Sequence, residues 1–111
     1  MTIHEYHSPS DRSYARQLRH NAPEQFAAYR NLSDTAQTIE GEIPLKYREL
    51  IAIAVGLTTQ CAYCLETHTA KAKKEGATEK ELAEVVFVTA SLCAGAAVSH
   101  GMLAMKLFLH D

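Results

Sequence analysis

Proline and glycine cut this chain into short segments, and within each segment the apolar residues recur at three- and four-residue steps. That period places them on one face of an α-helix. Ser8-Pro9-Ser10-Asp11 reads as a cap before a first short helix over roughly 10–20. Asn21-Ala22-Pro23 restarts the chain, since proline is well tolerated in a first helical turn. Phe26, Tyr29, Leu32, Ala36 and Ile39 then form one apolar stripe, which Gly41 ends. Pro44 opens a helix predicted over 44–57, with Gly56 near its end and a break at Leu57-Thr58. Thr59 is the expected N-cap of a helix over about 60–75, and Gly76 its stop. Thr78-Glu79-Lys80-Glu81 is a capping box for a helix carrying Leu82, Val85, Val86 and Val88. Cys93-Ala94-Gly95-Ala96-Ala97 is a place for that helix to bend or to let a neighbour approach closely. Val98, Met102, Met105 and Leu109 mark a last helical stretch. Convincing strand alternation and an Asn-Gly hairpin are both missing, so the expected fold is all-α, a bundle of about six helices.

The length of 111 residues suits a single domain over 1–111, with a real core but no room for two. Apolar residues at 47% and charged residues at 22% are ordinary for a soluble globular chain. A net charge of −2 without a Lys/Arg cluster leaves no electrostatic footprint for nucleic acid. Met1-Thr2-Ile3-His4-Glu5 lacks the basic and apolar regions of a signal peptide. The longest apolar run, Leu50–Leu57, is too short to span a bilayer. The expected address is cytoplasmic, with no membrane partner. An apolar stripe on nearly every helix, with the small-residue run Ala94–Ala97, points to a homo-oligomer.

The chemistry concentrates in Cys61-Ala62-Tyr63-Cys64-Leu65-Glu66-Thr67-His68. With Thr59 as cap, Cys61 falls in the opening turn, where free N–H groups and the helix dipole favour a thiolate. Cys64 lies one turn on. Side chains three apart on a helix sit about 5–6 Å from each other at Cβ. A disulfide wants about 3.5–4.5 Å, a gap that a first-turn residue can relax to close. His68 stands four residues after Cys64 and leans back toward it. About 10 Å of helical rise separates His68 from Cys61, which argues for a relay through Cys64. In a cytosolic chain this pattern suits redox chemistry or a metal site better than a structural disulfide. Two buried core cysteines are the plain alternative. For zinc, Cys93, His100 or Glu49 would have to complete the ligands, and the spacing is not that of common zinc modules.

Glu49 precedes Leu50-Ile51-Ala52-Ile53-Ala54-Val55, a helix apolar almost all round and therefore buried. It shares its face with Ala52, Ile53 and Gly56, and burial suits it to hold or pass a proton. A salt bridge to Lys46 or Arg48 is the competing assignment. Cys93, in an apolar helix, behaves as a small hydrophobe. Met102 and Met105 read as core or interface.

Glu49 followed by Cys61-x-x-Cys64-x3-His68 resembles the motif of the AhpD-like alkylhydroperoxidases, within the carboxymuconolactone decarboxylase superfamily. The flanks agree, at Pro44–Ala52, Ala70–Gly76 and Ala94–His100. The resemblance covers roughly 35–108, leaving 1–34 as a peripheral N-terminal helical extension. It implies an all-α fold, trimers or hexamers, and a redox-active disulfide between Cys61 and Cys64. It also implies proton-relay roles for Glu49 and His68. Tyr63 departs from the pattern, standing where the best-studied branch has a histidine, although its hydroxyl can still donate a hydrogen bond. The decarboxylase branch lacks the cysteine pair, which argues against lactone decarboxylation.

The expectation is a thiol-dependent, peroxiredoxin-type peroxidase with catalytic Cys61, Cys64, His68 and Glu49, and with Tyr63 and His100 lining the site. One thiol attacks a hydroperoxide, the sulfenic acid condenses with the other cysteine, and an external dithiol reduces the product. The resemblance suggests a lipoyl-type or thioredoxin-like reductant. No metal and no resident cofactor are expected. A general dithiol-disulfide oxidoreductase or redox sensor is the main alternative, and a metal-binding assembly module the third.

Overall fold

The structure, a computed structural model, describes residues 6–111; Met1–Glu5, read above as lacking the marks of a signal peptide, lie outside the described residues. A 3-10 helix, Pro9–Tyr14, leads into α1 (Ala15–Asn21) and α2 (Pro23–Gln37). Three longer elements follow: α3 (Leu45–Thr59), α4 (Ala62–Lys74) and α5 (Glu79–Leu109). Helices are thus the whole regular structure of the described residues, and the all-α expectation holds with five α-helices in place of about six.

The missing helix is a fusion. α5 runs unbroken through Cys93–Ala97 for 31 residues, so the expected bend is not there. Alanine is the best helix former, and one glycine costs only about 1 kcal/mol against it. Nothing of the chain lies within 4 Å of a Cβ placed on Gly95, so no neighbour within the protomer approaches closely there either. The length of α5 also corrects the estimate from Leu50–Leu57. An 18-residue window of α5 has mean hydropathy 1.8, long and apolar enough to cross a membrane by length and composition. Ser, Thr and His break its apolar run without adding formal charge.

The caps were partly legible. Ser8 and Asp11 form a capping box before the 3-10 helix, and Thr78 and Glu81 form another before α5. Thr59 is not the cap of α4. Thr58 and Thr59 turn their hydroxyls back to the carbonyls of Ala54 and Val55, both at 2.9 Å, and so extend α3. Gln60 closes α3 in the left-handed conformation at φ 56°, and Cys61 caps α4.

α3 is the central element, packed most extensively on α4 and next on α5. Gly56 permits the closest approach: a Cβ there would meet Cys64 Cβ and Leu65 Cδ2 at 3.3 Å. Arg48 ties down the connection from α2, donating to the carbonyls of Ile43 at 2.9 Å and Ile39 at 2.5 Å. Lys46 pairs with Glu81 at 2.8 Å and so fastens α3 to the start of α5.

Among the described residues, the buried apolar side chains are Ile53 and Ala72, with buried Glu49, His68 and Thr89 around them. The stripe expected on α2 is largely exposed, at Tyr29 and Leu32, as is nearly all of α5 beyond Ser91. The accessible surface is 9332 Å², against about 6,100 Å² for a compact monomer of this mass. The radius of gyration is 18.3 Å, against about 13 Å for a compact chain of this length.

Candidate active site

Cys61 leaves the extended cap position with its sulfur turned into the first turn of α4, where it accepts the Cys64 N–H at 3.2 Å. Its sulfur is bonded to that of Cys64, with the two Cα atoms 5.2 Å apart. Placing Cys61 at the cap rather than two residues inside sets its sulfur directly against the free N–H groups of the helix start. Those groups and the dipole stabilise negative charge there.

His68 follows one turn after Cys64 on α4 and is buried. Its Nδ1 lies 2.5 Å from Oε2 of Glu49, itself buried on α3. Neither competing partner takes Glu49, because Lys46 holds Glu81 and Arg48 holds backbone carbonyls. A carboxylate at Nδ1 orients the ring and leaves Nε2 as the nitrogen free to exchange a proton. The unit therefore contains a dithiol-disulfide pair at a helix start and, one turn behind it, a buried imidazole oriented by a carboxyl group.

Tyr63 lies in the first turn of α4, between the two cysteines. Its hydroxyl donates to Asp11 at 2.8 Å, and His7 stacks edge-on against its ring at 5.3 Å. The bond from Tyr63 and a second from the Ser8 N–H hold the Asp11 carboxyl below its usual range. The same bond to Asp11, then partial desolvation, raises the Tyr63 hydroxyl above its usual value. Arg12 reinforces the contact, donating to Glu66 at 3.0 Å, to the Tyr63 carbonyl at 3.4 Å, and to the Thr67 hydroxyl. Sequence reasoning missed Asp11 and Arg12, which lie more than 50 residues from these partners. No local pattern could have joined them.

His100 is exposed on α5, a helix packed on α3. Cys93 is a free, exposed thiol with its sulfur 4.0 Å from the Thr58 hydroxyl. Among the described residues, no three His, Cys, Asp or Glu side chains converge as a metal-ligand set.

A helical fold carrying a dithiol at a helix start beside a buried His-Glu pair defines a recognisable class. Residues 23–107 match the carboxymuconolactone decarboxylase family, and the chain belongs to it. The chain is similar to a carboxymuconolactone decarboxylase family protein from Legionella pneumophila whose apo crystal structure is solved. The two superpose with a TM-score of 0.69 at 25% identity, covering 89% of this chain and 88% of that one. It is also 39% identical over 68 residues to uncharacterized protein 4 in the cox locus of Paracoccus denitrificans. An uncharacterized protein of Cupriavidus necator is 32% identical over 73 residues. The matched stretches span 61% and 66% of this chain, and 61% and 65% of those two relatives.

Proposed function

We propose that this protein is a thiol-dependent peroxidase of the AhpD-like kind, cycling between the Cys61/Cys64 dithiol and disulfide. The observation that carries this reading is the Cys61–Cys64 pair at the start of α4, one turn from the Glu49–His68 bond. His68 takes the proton of Cys64, its nearest thiol along the helix, and Glu49 steadies the charge that develops on the ring. The Cys64 thiolate attacks the hydroperoxide ROOH. A sulfur–oxygen bond forms, the O–O bond breaks, and the alkoxide leaves as ROH with the proton returned from His68. Cys61 then attacks the sulfenic sulfur and releases water. Two thiols are oxidised and one peroxide is reduced to alcohol and water. An external dithiol of lipoyl type, or a thioredoxin-like protein, restores the thiols by exchange.

The assignment of Cys64 as nucleophile is tested by trapping sulfenic acid with a dimedone-type reagent. Cys61→Ser, which keeps the attacking thiol, should accumulate the adduct under peroxide, and Cys64→Ser should not. The opposite pattern reverses the two roles, and no adduct in either variant removes the mechanism. Turnover with protein disulfides in place of hydroperoxides would mark the protein as a general dithiol oxidoreductase.

The working form is proposed to be a cytoplasmic homo-oligomer. The surface in excess of a compact monomer includes α2 and α3 as well as α5, at Tyr29, Leu32, Ile51 and Val55. A bilayer would cover one helix, whereas further copies of the chain can cover all three.

A further inference from the structure

The N-terminal segment and α1 form a concavity with the turn that carries the cysteines. It is a cavity of about 830 Å³, lined on its apolar side by Tyr6, Tyr14, Ala15, Leu18, Ala22 and Tyr63. Tyr6, Tyr14 and Leu18 are each more than half exposed, which places three large apolar side chains around one hollow rather than in a core. Pockets of 300–1,000 Å³ are typical for small organic ligands. One wall is Tyr63, bracketed in the chain by the two cysteines.

The charged groups of the lining, Asp11 and Arg12, are already engaged. Asp11 is held by the Tyr63 hydroxyl and the Ser8 N–H, and Arg12 by Glu66 and Thr67. Asn21 turns its amide to the Gln17 carbonyl at 2.8 Å. A charged ligand would have to break one of these bonds to gain an ionic partner. An uncharged apolar ligand would lose nothing and would cover the exposed rings.

We propose that this cavity is the subsite for the uncharged, apolar body of an organic hydroperoxide, held by Tyr14, Leu18 and Tyr63 beside the thiol turn. The inference rests on the peroxidase reading for its chemistry, and it gives residues 6–22 a role in substrate choice. Tyr63 in this arrangement is a wall of the subsite, fixed in place by Asp11, rather than a proton carrier.

The test compares the rates at which cumene hydroperoxide and hydrogen peroxide oxidise the reduced full-length protein. Leu18→Asp sets a charge in the hollow at an exposed helix position. The ratio of the cumene rate to the hydrogen peroxide rate should fall about tenfold, the scale of discrimination by one apolar pocket contact. A ratio within about twofold of the wild-type value overturns the subsite. Binding is read independently with cumyl alcohol, which has the body of the substrate but no peroxide. Its titration into methyl-labelled protein should shift the Leu18 methyl signals, and unmoved signals at the solubility limit overturn the subsite. If cumyl alcohol binds at Leu18 but neither peroxide oxidises the thiols, the peroxidase reading falls while the cavity stands.

Discussion

Nδ1 of His68 and Oε2 of Glu49 meet at 2.5 Å, bridging α4 and α3 in the most enclosed part of the protein. The bond works at two levels. It satisfies two buried polar groups that would otherwise destabilise the packing of α3 on α4, and it fixes the orientation of an imidazole that stands one turn after Cys64 on α4.

Breaking that bond should therefore slow thiol chemistry while keeping the fold. Glu49→Gln retains the shape and a hydrogen-bonding side chain, and it should slow thiol oxidation by hydroperoxide about 10- to 100-fold. His68→Gln should cost a similar factor. The double variant should be no slower than the slower single one, because the two groups act as a unit. Stopped-flow oxidation rates check this, and fully additive losses would contradict it.

Gly56 sets how near the cysteines come to α3. Gly56→Val adds a Cβ at 3.3 Å from Cys64 Cβ, plus two methyl groups with less room still. We expect a loss of about 1–3 kcal/mol, the usual cost of overpacking, together with slower closure of the disulfide. Urea unfolding of oxidised and reduced protein measures the first, and single-turnover oxidation the second. A variant as stable as wild type would place α4 farther from α3 than described.

Thr78 should be worth the ordinary value of a cap. Its hydroxyl accepts the Glu81 N–H at 3.1 Å, while Glu81 returns a bond to the Thr78 N–H at 2.9 Å. Thr78→Ala should cost about 1 kcal/mol in thermal or urea unfolding. No measurable loss would mean that α5 draws its start from packing alone.

The contact between Asp11 and Tyr63 should have a pH window. Asp11 has its folded pKa lowered from 3.8, so the bond stabilises the N-terminal segment above that value. It is lost as pH falls through the lower folded value. Tyr63 has its folded pKa raised from 10.0, so the bond contributes below that pH and is lost as pH rises through the higher folded value. The absorbance titration of the five tyrosines should lose an alkaline component in both Tyr63→Phe and Asp11→Asn. An unchanged curve in Asp11→Asn would show that the segment does not hold Tyr63.

How far the sequence reveals this structure depends on distance along the chain. Glu49 and His68 each sit on a readable helix face, but only the resemblance to a family motif places them in one relay. The cap of α4 was misplaced by two residues, since a threonine hydroxyl can cap a new helix or bond back into the old one. Thr58 and Thr59 do the latter. The unbroken course of α5 through Cys93–Ala97 is not legible, because small residues fit a bend, a close approach and a straight helix equally well. On α2, periodicity gave Tyr29 and Leu32 a common face but not what covers it. Arg12 reaches Glu66 across 54 residues, which no local pattern encodes.

If Cys61 and Cys64 are a working redox pair, a hydroperoxide alone must oxidise them. Reduced full-length protein, given one equivalent of cumene hydroperoxide and no other oxidant, is read by intact mass and peptide mapping. The expected result is a rapid loss of two hydrogens localised to the Cys61–Cys64 peptide, with cumyl alcohol formed in equal amount. Thiols that stay reduced while the peroxide persists, or oxidation confined to Cys93, would contradict it.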